Sequence, residues 1–333
     1  MTVVAIVVVA AVGCGSLLAL ARDLAAGDGR TAAGSGQLAS TKAGSGVVRI
    51  DPATNRVVGR LPLPGANMVA TGLGSVWVTG TVANKRAVVR ISPESTQLLA
   101  QVALEPFRVV YPADLAVGAG GVWVLGGDAV YRLDAASRRR TRIPIRDANV
   151  VRPGIAAGDE GVWVSNPEKG AVDRIHPPGR PSDRAITVGR FASGLSLAGG
   201  SIWVTNDREG LLTRVDPVQN RVTRIYRVPG ASGSAAVGAG AVWVVDSTTG
   251  RLAKVDPDSG RVTVVDVGHR ATWVGVGHGS VWVVNGGDGI VSRIDPATLR
   301  VTATIPVGPR PYALAVDEAA VWVTLLGPVG HPH

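Results

Sequence analysis

The sequence repeats a short aromatic motif about every 40 residues, and this period limits the folds that the chain can adopt. The tripeptide Val/Ile-Trp-Val recurs with separations of 46, 40, 40, 40, 39 and 40 residues, at Trp77, Trp123, Trp163, Trp203, Trp243, Trp282 and Trp322. A second motif similar to Arg-Ile-Asp-Pro keeps the same phase and ends at Pro52, Pro93, Ala135, Pro177, Pro217, Pro257 and Pro296. Two phased motifs in seven copies indicate seven copies of one structural unit.

Each period predicts four short antiparallel strands, which we label A to D. Strand A, for example residues 313–316, ends at a turn that is glycine-rich in several repeats, as at residues 118–121, and strand B carries the Val-Trp-Val motif. Strand C, for example residues 212–215, ends at an Asp-Pro turn that leads into strand D, for example residues 301–305. One such sheet cannot bury both of its faces, so neighbouring sheets must stack. Seven units of about 40 residues therefore predict an all-β chain that forms a seven-bladed β-propeller.

The order of the two motifs predicts how the ring closes. The first motif in the chain, residues 48–52, is a strand C, and the last, residues 321–323, is a strand B. The N-terminal segment is therefore expected to add strands C and D to a blade whose strands A and B come from the C-terminus. Such a shared blade removes the exposed edges of an open array. The expected propeller spans residues 47–328, followed by a tail at 329–333.

The first 46 residues predict export and a tether. Residues 3–12 are an unbroken apolar run, and Ala11-Val12-Gly13-Cys14 resembles a bacterial lipobox, in which Cys14 would be acylated. Residues 1–21 are also interpreted as an uncleaved membrane anchor or a simple secretory signal, although no Lys or Arg precedes the apolar run. Residues 22–46 are a Gly/Ala/Ser-rich flexible linker. All three alternatives place the propeller outside the cytoplasm, either membrane-anchored or secreted.

Composition and charge exclude several classes of function. The net charge of +9 could indicate nucleic-acid binding, but most arginines recur once per repeat, as at Arg49 and Arg293, which is typical of solvated strand residues. No nucleic-acid-binding motif accompanies them. The single cysteine excludes a disulfide framework and a cysteine-rich zinc site. We therefore predict a monomeric propeller with no nucleic-acid partner and no cofactor.

The repeated tryptophans and aspartates have structural explanations. The tryptophans stand among valines on strand B, which favours packing between blades over ligand stacking. The recurring Asp51, Asp134, Asp216, Asp256 and Asp295 are mostly followed by proline and a turn. An aspartate that caps its own turn explains this pattern better than a calcium series, because Ser92 and His176 occupy equivalent positions. No metal site is predicted.

Several repeats resemble the YVTN family of bacterial β-propellers over residues 47–328. Residues 203–206 read Trp-Val-Thr-Asn, and residues 282–285, 291–295 and 301–311 follow the family pattern. The chain is also similar to the virginiamycin B lyase group of seven-bladed propellers. That resemblance implies catalytic histidines at the start of strand A, about ten residues before a repeated tryptophan, where this chain has Thr272 and Tyr312. The nearest histidine, His269, lies three positions further back, so the chain departs from the lyase pattern.

No catalytic motif is evident in the sequence. A Gly-x-Ser-x-Gly elbow, a His-Glu-x-x-His helix and a phosphate-binding loop are all missing. His269 is only a weak candidate for a base. A carboxylate or metal paired with His269 at the channel mouth would favour an enzyme over a binding module.

The loops from strand D to strand A gather around one opening of a propeller, and they carry an unusual set of side chains. Both phenylalanines and two of the four tyrosines are expected there, with several arginines, which suit carboxylate or phosphate ligands. The candidate ligand-binding residues are Phe107, Arg108, Tyr111, Arg152, Arg190, Phe191, Arg270, Arg310 and Tyr312.

These residues predict a binding or scaffold module for an anionic partner, such as a cell-wall sugar polymer, a peptide carboxylate or an acidic envelope protein. The structural alternative is that the arginines are solvated and the aromatic rings pack the blade tops. A lyase-type enzyme that uses the same loops and a purely structural subunit of an envelope complex are further alternatives.

Overall fold

The computed structural model describes residues 44–104, 114–126, 129–135, 139–145, 154–176, 180–181 and 185–327. Within these ranges the regular secondary structure consists of β-strands in seven antiparallel sheets, and the predicted seven-bladed propeller is confirmed. The innermost strands A of neighbouring blades contact one another all the way around the ring.

We number the blades in chain order, starting after the first two strands. Blades 1 to 3 comprise β3 (Val69–Gly72), β4 (Ser75–Val82), β5 (Lys85–Ile91) and β6 (Leu98–Ala103); β7 (Leu115–Gly118), β8 (Gly121–Leu125), β9 (Ala129–Leu133) and β10 (Arg140–Pro144); and β11 (Ile155–Gly158), β12 (Gly161–Asn166), β13 (Ala171–His176), β14 (Arg180–Pro181) and β15 (Ile186–Thr187).

Blades 4 to 6 comprise β16 (Ala192–Ala198), β17 (Ser201–Asn206), β18 (Leu211–Asp216) and β19 (Arg221–Arg227); β20 (Ala235–Gly238), β21 (Ala241–Asp246), β22 (Arg251–Val255) and β23 (Val262–Asp266); and β24 (Ala271–Gly277), β25 (Ser280–Asn285), β26 (Ile290–Ile294) and β27 (Val301–Pro306). Blade 7 combines both ends of the propeller, in the order β28 (Pro311–Val316), β29 (Val321–Leu325), β1 (Gly46–Asp51) and β2 (Arg56–Pro62).

The pairing of β1 with β29 closes the ring as the motif order predicts. Val48 pairs with Val323 and Ile50 with Val321, in an antiparallel register. All four side chains are at most 1% exposed. The closing strands therefore share one apolar core, and neither edge of the pair is left open.

The outer strand of blade 3 is described in two pieces, β14 and β15, which both pair with β13 at the place where the repeat predicts strand D. Residues 182–184, between the two pieces, lie outside the described ranges.

The seven repeated tryptophans are core residues, at most 3% exposed. Trp282 of blade 6, for example, belongs to a cluster that also contains Leu314 and Val323 of blade 7. The indole N–H of Trp282 donates to the carbonyl of Gly277, 3.0 Å away. Packing between blades, as predicted, explains the repeated tryptophans.

The repeated arginines are not solvated strand residues, and that expectation is wrong. Each lies directly across the B–C strand pair from a tryptophan and is half-buried, with the cation over the indole ring. The distances from cation to ring centroid run from 4.9 to 5.8 Å for Arg49–Trp322, Arg90–Trp77, Arg132–Trp123, Arg174–Trp163, Arg214–Trp203, Lys254–Trp243 and Arg293–Trp282. A cation over an indole face is stabilising, more so when it is partly desolvated.

Several of these cations also bond to the next blade. Arg293 donates from Nη1 to the carbonyl of Pro52 at 2.7 Å and to Oδ1 of Asn55 at 2.9 Å. Its Nε donates to Oγ of Ser280 at 2.8 Å. Equivalent bonds join Arg49 to Glu94, Arg174 to Pro217 and Lys254 to Pro296. These side chains therefore link neighbouring blades to one another.

Four of the five recurring aspartates cap their own turns, as predicted. Asp295 Oδ1 accepts hydrogen bonds from the backbone N–H groups of Ala297 and Thr298, and Asp51, Asp216 and Asp256 make the same kind of contact. The hydrogen bond from the Thr298 N–H is the main reason that the pKa of Asp295 is lowered. Ser92 accepts two N–H bonds in the equivalent turn of blade 1.

The strand directions give the propeller two different rims. Strands A begin and strands D end at the upper rim, which therefore carries the D–A loops and the B–C turns. The A–B and C–D turns form the lower rim. The predicted ligand-binding residues that the structure describes belong to the upper rim: Arg190, Phe191, Arg270, Arg310 and Tyr312.

Candidate binding site at the upper rim

Hydrogen bonds between neighbouring blades hold the upper rim together. At six of the seven blade interfaces, within the described ranges, a side chain near the start of strand A or the end of strand B bonds to the next blade. The pairs are Thr324–Asn67, Asp114–Ile155, Ser165–Ser193, Thr205–Gly233, Ser234–Val274 and Thr272–Tyr312. A rim fixed in this way presents its loops in a defined arrangement, which reduces the entropy that a ligand must overcome.

Asp114 is one of these bridging residues and carries an enclosed carboxyl. Its Oδ1 accepts from the N–H of Leu115 at 2.8 Å, and its Oδ2 from the N–H of Ile155 at 3.0 Å. Burial raises the pKa of Asp114 to about 6, although both hydrogen bonds act in the opposite direction. The carboxyl joins strands β7 and β11, so its role in the described contacts is structural.

Three D–A loops share an unusual backbone. Phe191, Arg270 and Arg310 have φ values of 60°, 56° and 52°, and each follows a glycine with positive φ by two residues. Left-handed backbone costs a non-glycine residue on the order of 1 kcal/mol or more, and such strain clusters at functional sites. The repeated loop shape places equivalent side chains at equivalent points around the rim.

The three predicted arginines in the described part of the rim are all exposed, but their contacts differ. The guanidinium of Arg310 donates to the carbonyl of Gly327. Arg190 lies 5.5 Å from the ring centre of Phe191. Arg270 has no hydrogen-bond or ion-pair partner for its guanidinium among the described residues. It is the arginine most available to a ligand.

Tyr312, near the start of strand A of blade 7, is half-buried and packs on the core. Its ring centre lies 6.3 Å from that of Trp273, at an interplanar angle of 48°. Trp273 was not predicted as a site residue, although it is the one tryptophan of the eight that lies outside the repeated motif. The break in the repeat is the signal that could have identified it.

His269 and Asp288 form a pair at the edge of blade 6. His269 Nδ1 lies 2.8 Å from Asp288 Oδ1, and the backbone N–H of His269 donates to Asp288 Oδ2 at 2.7 Å. The backbone hydrogen bond is the main reason that the pKa of Asp288 is lowered, with the imidazole contact second. The imidazole is 86% exposed. An exposed ring held by a carboxylate leaves Nε2 open to a ligand.

Two other acidic side chains of the rim, Asp207 and Asp246, accept hydrogen bonds from neighbouring residues of the protein. Ser193 Oγ donates to Asp207 Oδ1. Asp246 accepts from the N–H groups of Thr248 and Thr249, and from the Thr249 hydroxyl. Burial acts to raise the pKa of Asp246, but the hydrogen bonds from Thr249 and Thr248 together lower it. These carboxylates stabilise turns, and none is within ion-pair distance of Arg190 or Arg270.

Several predicted residues cannot be placed. Phe107, Arg108, Tyr111, Arg152 and Cys14 lie outside the described residues. Within the described ranges, no group of three or more His, Cys, Asp or Glu side chains could hold a metal ion. The same ranges contain no helix that is long and apolar enough to cross a membrane.

No family model matches the sequence, and no curated protein matches it in sequence. The YVTN resemblance therefore stays a prediction. The chain does resemble known structures in fold. A catalytically inactive variant of virginiamycin B lyase from Staphylococcus aureus with quinupristin matches with a TM-score of 0.66 at 15% identity, covering 84% of this chain and 99% of that one.

Two other structural neighbours have different names. Hydrazine synthase of Kuenenia stuttgartiensis matches with a TM-score of 0.62 at 14% identity, covering 77% of this chain and 90% of that one. Apo AztD from Citrobacter koseri matches with a TM-score of 0.58 at 13% identity, covering 86% and 97%. At these identities the similarity concerns the fold. The chain folds as a seven-bladed propeller of the kind seen in virginiamycin B lyase.

Proposed function

We propose that this protein is an exported binding or scaffold module whose upper rim binds an anionic ligand. The observation that carries the proposal is the set of three exposed arginines, Arg190, Arg270 and Arg310, near or at the left-handed positions of equivalent loops. Arginine presents planar donors that suit carboxylate and phosphate oxygens. The proposed partner is a cell-wall polymer or an acidic envelope protein.

The N-terminal sequence supports export, with attachment to the membrane through an acylated Cys14 or an apolar anchor. A tether of residues 22–46 would let the rim face a partner in the envelope. The structural neighbours bear names as different as a lyase and a hydrazine synthase. The propeller fold thus occurs in proteins with different functions, so the function of this chain has to be inferred from its site.

Joint replacement of Arg190, Arg270 and Arg310 by serine tests the proposal, and Arg152 is added in a second variant. We expect binding to anionic cell-wall fractions to weaken by about tenfold or more, because charge-assisted hydrogen bonds are lost. Binding by the unmodified protein should also weaken as salt is raised. Serine replacements of Arg261 and Arg300 on the lower rim are the matched control. Unchanged binding by a folded upper-rim variant would refute the proposal.

The His269–Asp288 pair favours a second candidate, a lyase-type reaction in which the imidazole acts as a general base. The carboxylate fixes the ring and would stabilise its charged form during proton transfer. Quinupristin, named with a structural neighbour, is a direct probe. Conversion of quinupristin, followed by liquid chromatography and lost in His269→Ala, would support this candidate. No conversion by the unmodified protein would count against it.

A further inference from the structure

One phenylalanine ring on the upper rim lies beside two arginines. The guanidinium carbon of Arg208 lies 4.7 Å from the ring centre of Phe191, and that of Arg190 lies 5.5 Å from the same point. The two guanidinium groups are therefore no more than about 10 Å apart. Arg208 comes from the B–C turn of blade 4, whereas Arg190 and Phe191 come from the loop that enters this blade.

Backbone hydrogen bonds hold this arrangement in place. Asn206 Nδ2 donates to the carbonyl of Arg190 at 2.9 Å, and the N–H of Phe191 donates to the carbonyl of Pro167 at 2.9 Å. The N–H of Asp207 donates to the carbonyl of Phe191 at 3.1 Å. The left-handed backbone of Phe191, with φ of 60°, is thus fixed by contacts from two neighbouring turns. Arg190 therefore emerges from a loop that these bonds fix, and Arg208 from the turn that bonds to it.

Within the described part of the chain, no carboxylate forms an ion pair with Arg190 or Arg208. The two acids that flank Arg208 in the sequence have other contacts. Asp207 accepts the Ser193 hydroxyl, and the Glu209 carboxylate lies beside the backbone of Gly189. Two guanidinium groups within about 10 Å of each other repel, and an anion bound between them would relieve that repulsion.

We infer that Arg190, Phe191 and Arg208 form a subsite for a phosphate group. One guanidinium fork suffices for the two oxygens of a carboxylate, whereas a tetrahedral phosphate has enough oxygens to accept from two forks at once. The phenylalanine ring restrains both arginine side chains, so less conformational entropy is lost on binding. The inference rests on the proposed function, because it names the ligand chemistry of the same rim.

Calorimetric titration with sodium phosphate and sodium acetate at equal ionic strength tests the subsite. We expect phosphate to bind about tenfold or more tightly than acetate, and Arg208→Gln or Arg190→Gln to remove about tenfold of the phosphate affinity. Arg208→Lys keeps the positive charge but lacks the paired donors of a guanidinium, so this variant should retain only part of the phosphate affinity. Arg300→Gln on the lower rim, an exposed arginine in a turn, should bind as the unmodified protein does.

A second titration separates the possible sources of the phosphate. Soluble poly(glycerol phosphate) and phosphatidylglycerol vesicles carry the same phosphodiester, one on a polymer and one at a lipid surface. Binding of either, lost in Arg208→Gln, supports the subsite and identifies its source.

The outcomes distinguish this inference from the broader proposal. If Arg208→Gln and Arg190→Gln bind phosphate normally while the Arg270 and Arg310 replacements weaken anion binding, the subsite is wrong and the rim proposal stands. A higher affinity for acetate than for phosphate would likewise show that the phosphate subsite is wrong and leave the rim proposal standing. If the unmodified protein binds neither the small anions nor the anionic cell-wall fractions, the phosphate subsite and the proposed function are both wrong.

Discussion

Replacing Trp282 by alanine is expected to lower the free energy of unfolding by about 3–5 kcal/mol. The side chain is fully buried between blades 6 and 7, and its N–H donates to the carbonyl of Gly277. The change leaves a cavity, removes that hydrogen bond and takes away the surface on which Arg293 stacks. Thermal and denaturant unfolding followed by circular dichroism measures the loss.

The matched control is Trp273→Ala, which removes the half-buried tryptophan of the rim. We expect a clearly smaller loss there, since part of that side chain already contacts solvent. A double-mutant cycle of Trp282→Ala with Arg293→Ala should give a coupling energy of about 0.5–2 kcal/mol. Equal losses for the two tryptophans, or no coupling, would contradict the core role of the repeated motif.

Ile50→Asp is expected to prevent the ring from closing. Ile50 is 0% exposed in strand β1, paired with Val321 and packed in the core shared by blades 6 and 7. An unpaired carboxylate at that position costs more than about 4 kcal/mol, which is a large part of the roughly 5–15 kcal/mol by which native proteins are stable. We expect insoluble or protease-sensitive protein, detected by limited proteolysis.

Val58→Asp is the control for that substitution. Val58 lies in the same blade on strand β2, but it is 51% exposed, so a carboxylate there remains hydrated. We expect a change within about 0.5 kcal/mol. A folded, protease-resistant Ile50→Asp variant would show that β1 is not essential to the ring.

The sequence predicts the ring and its closure because both follow from periodic features. Strand B and strand C carry distinct motifs, so their order along the chain identifies the strands that the two ends contribute.

The stacking of arginine on tryptophan was missed, although its signal is in the sequence. Arg293 follows Trp282 by eleven residues, and a short hairpin turn places the two directly across from each other on strands B and C. The positive charge of the repeated arginines, considered alone, favoured the prediction that their side chains are solvated. The register of the hairpin shows that the same side chain faces an indole ring.

The rim could be predicted only in outline. Loop topology assigns Arg190, Arg270 and Arg310 to the correct end of the blades, as the structure shows. Contacts such as His269 with Asp288, or Arg208 with Phe191, depend on how a D–A loop folds against a B–C turn. No pattern of residue types fixes that packing, so Arg208 and Asp288 were not predicted as site residues.

The closure of blade 7 is the claim on which the arrangement of the rim depends, and a disulfide across it is the most direct test. In a Cys14→Ser background, Val48→Cys and Val323→Cys place two thiols on directly paired residues, a spacing suited to a disulfide. The control pair is Val48→Cys with Val204→Cys, on strand B of blade 4. After mild oxidation, peptide mass mapping should find residues 48 and 323 linked within one chain and no link in the control. If the first pair stays reduced, or both pairs link equally, the ring does not close as described.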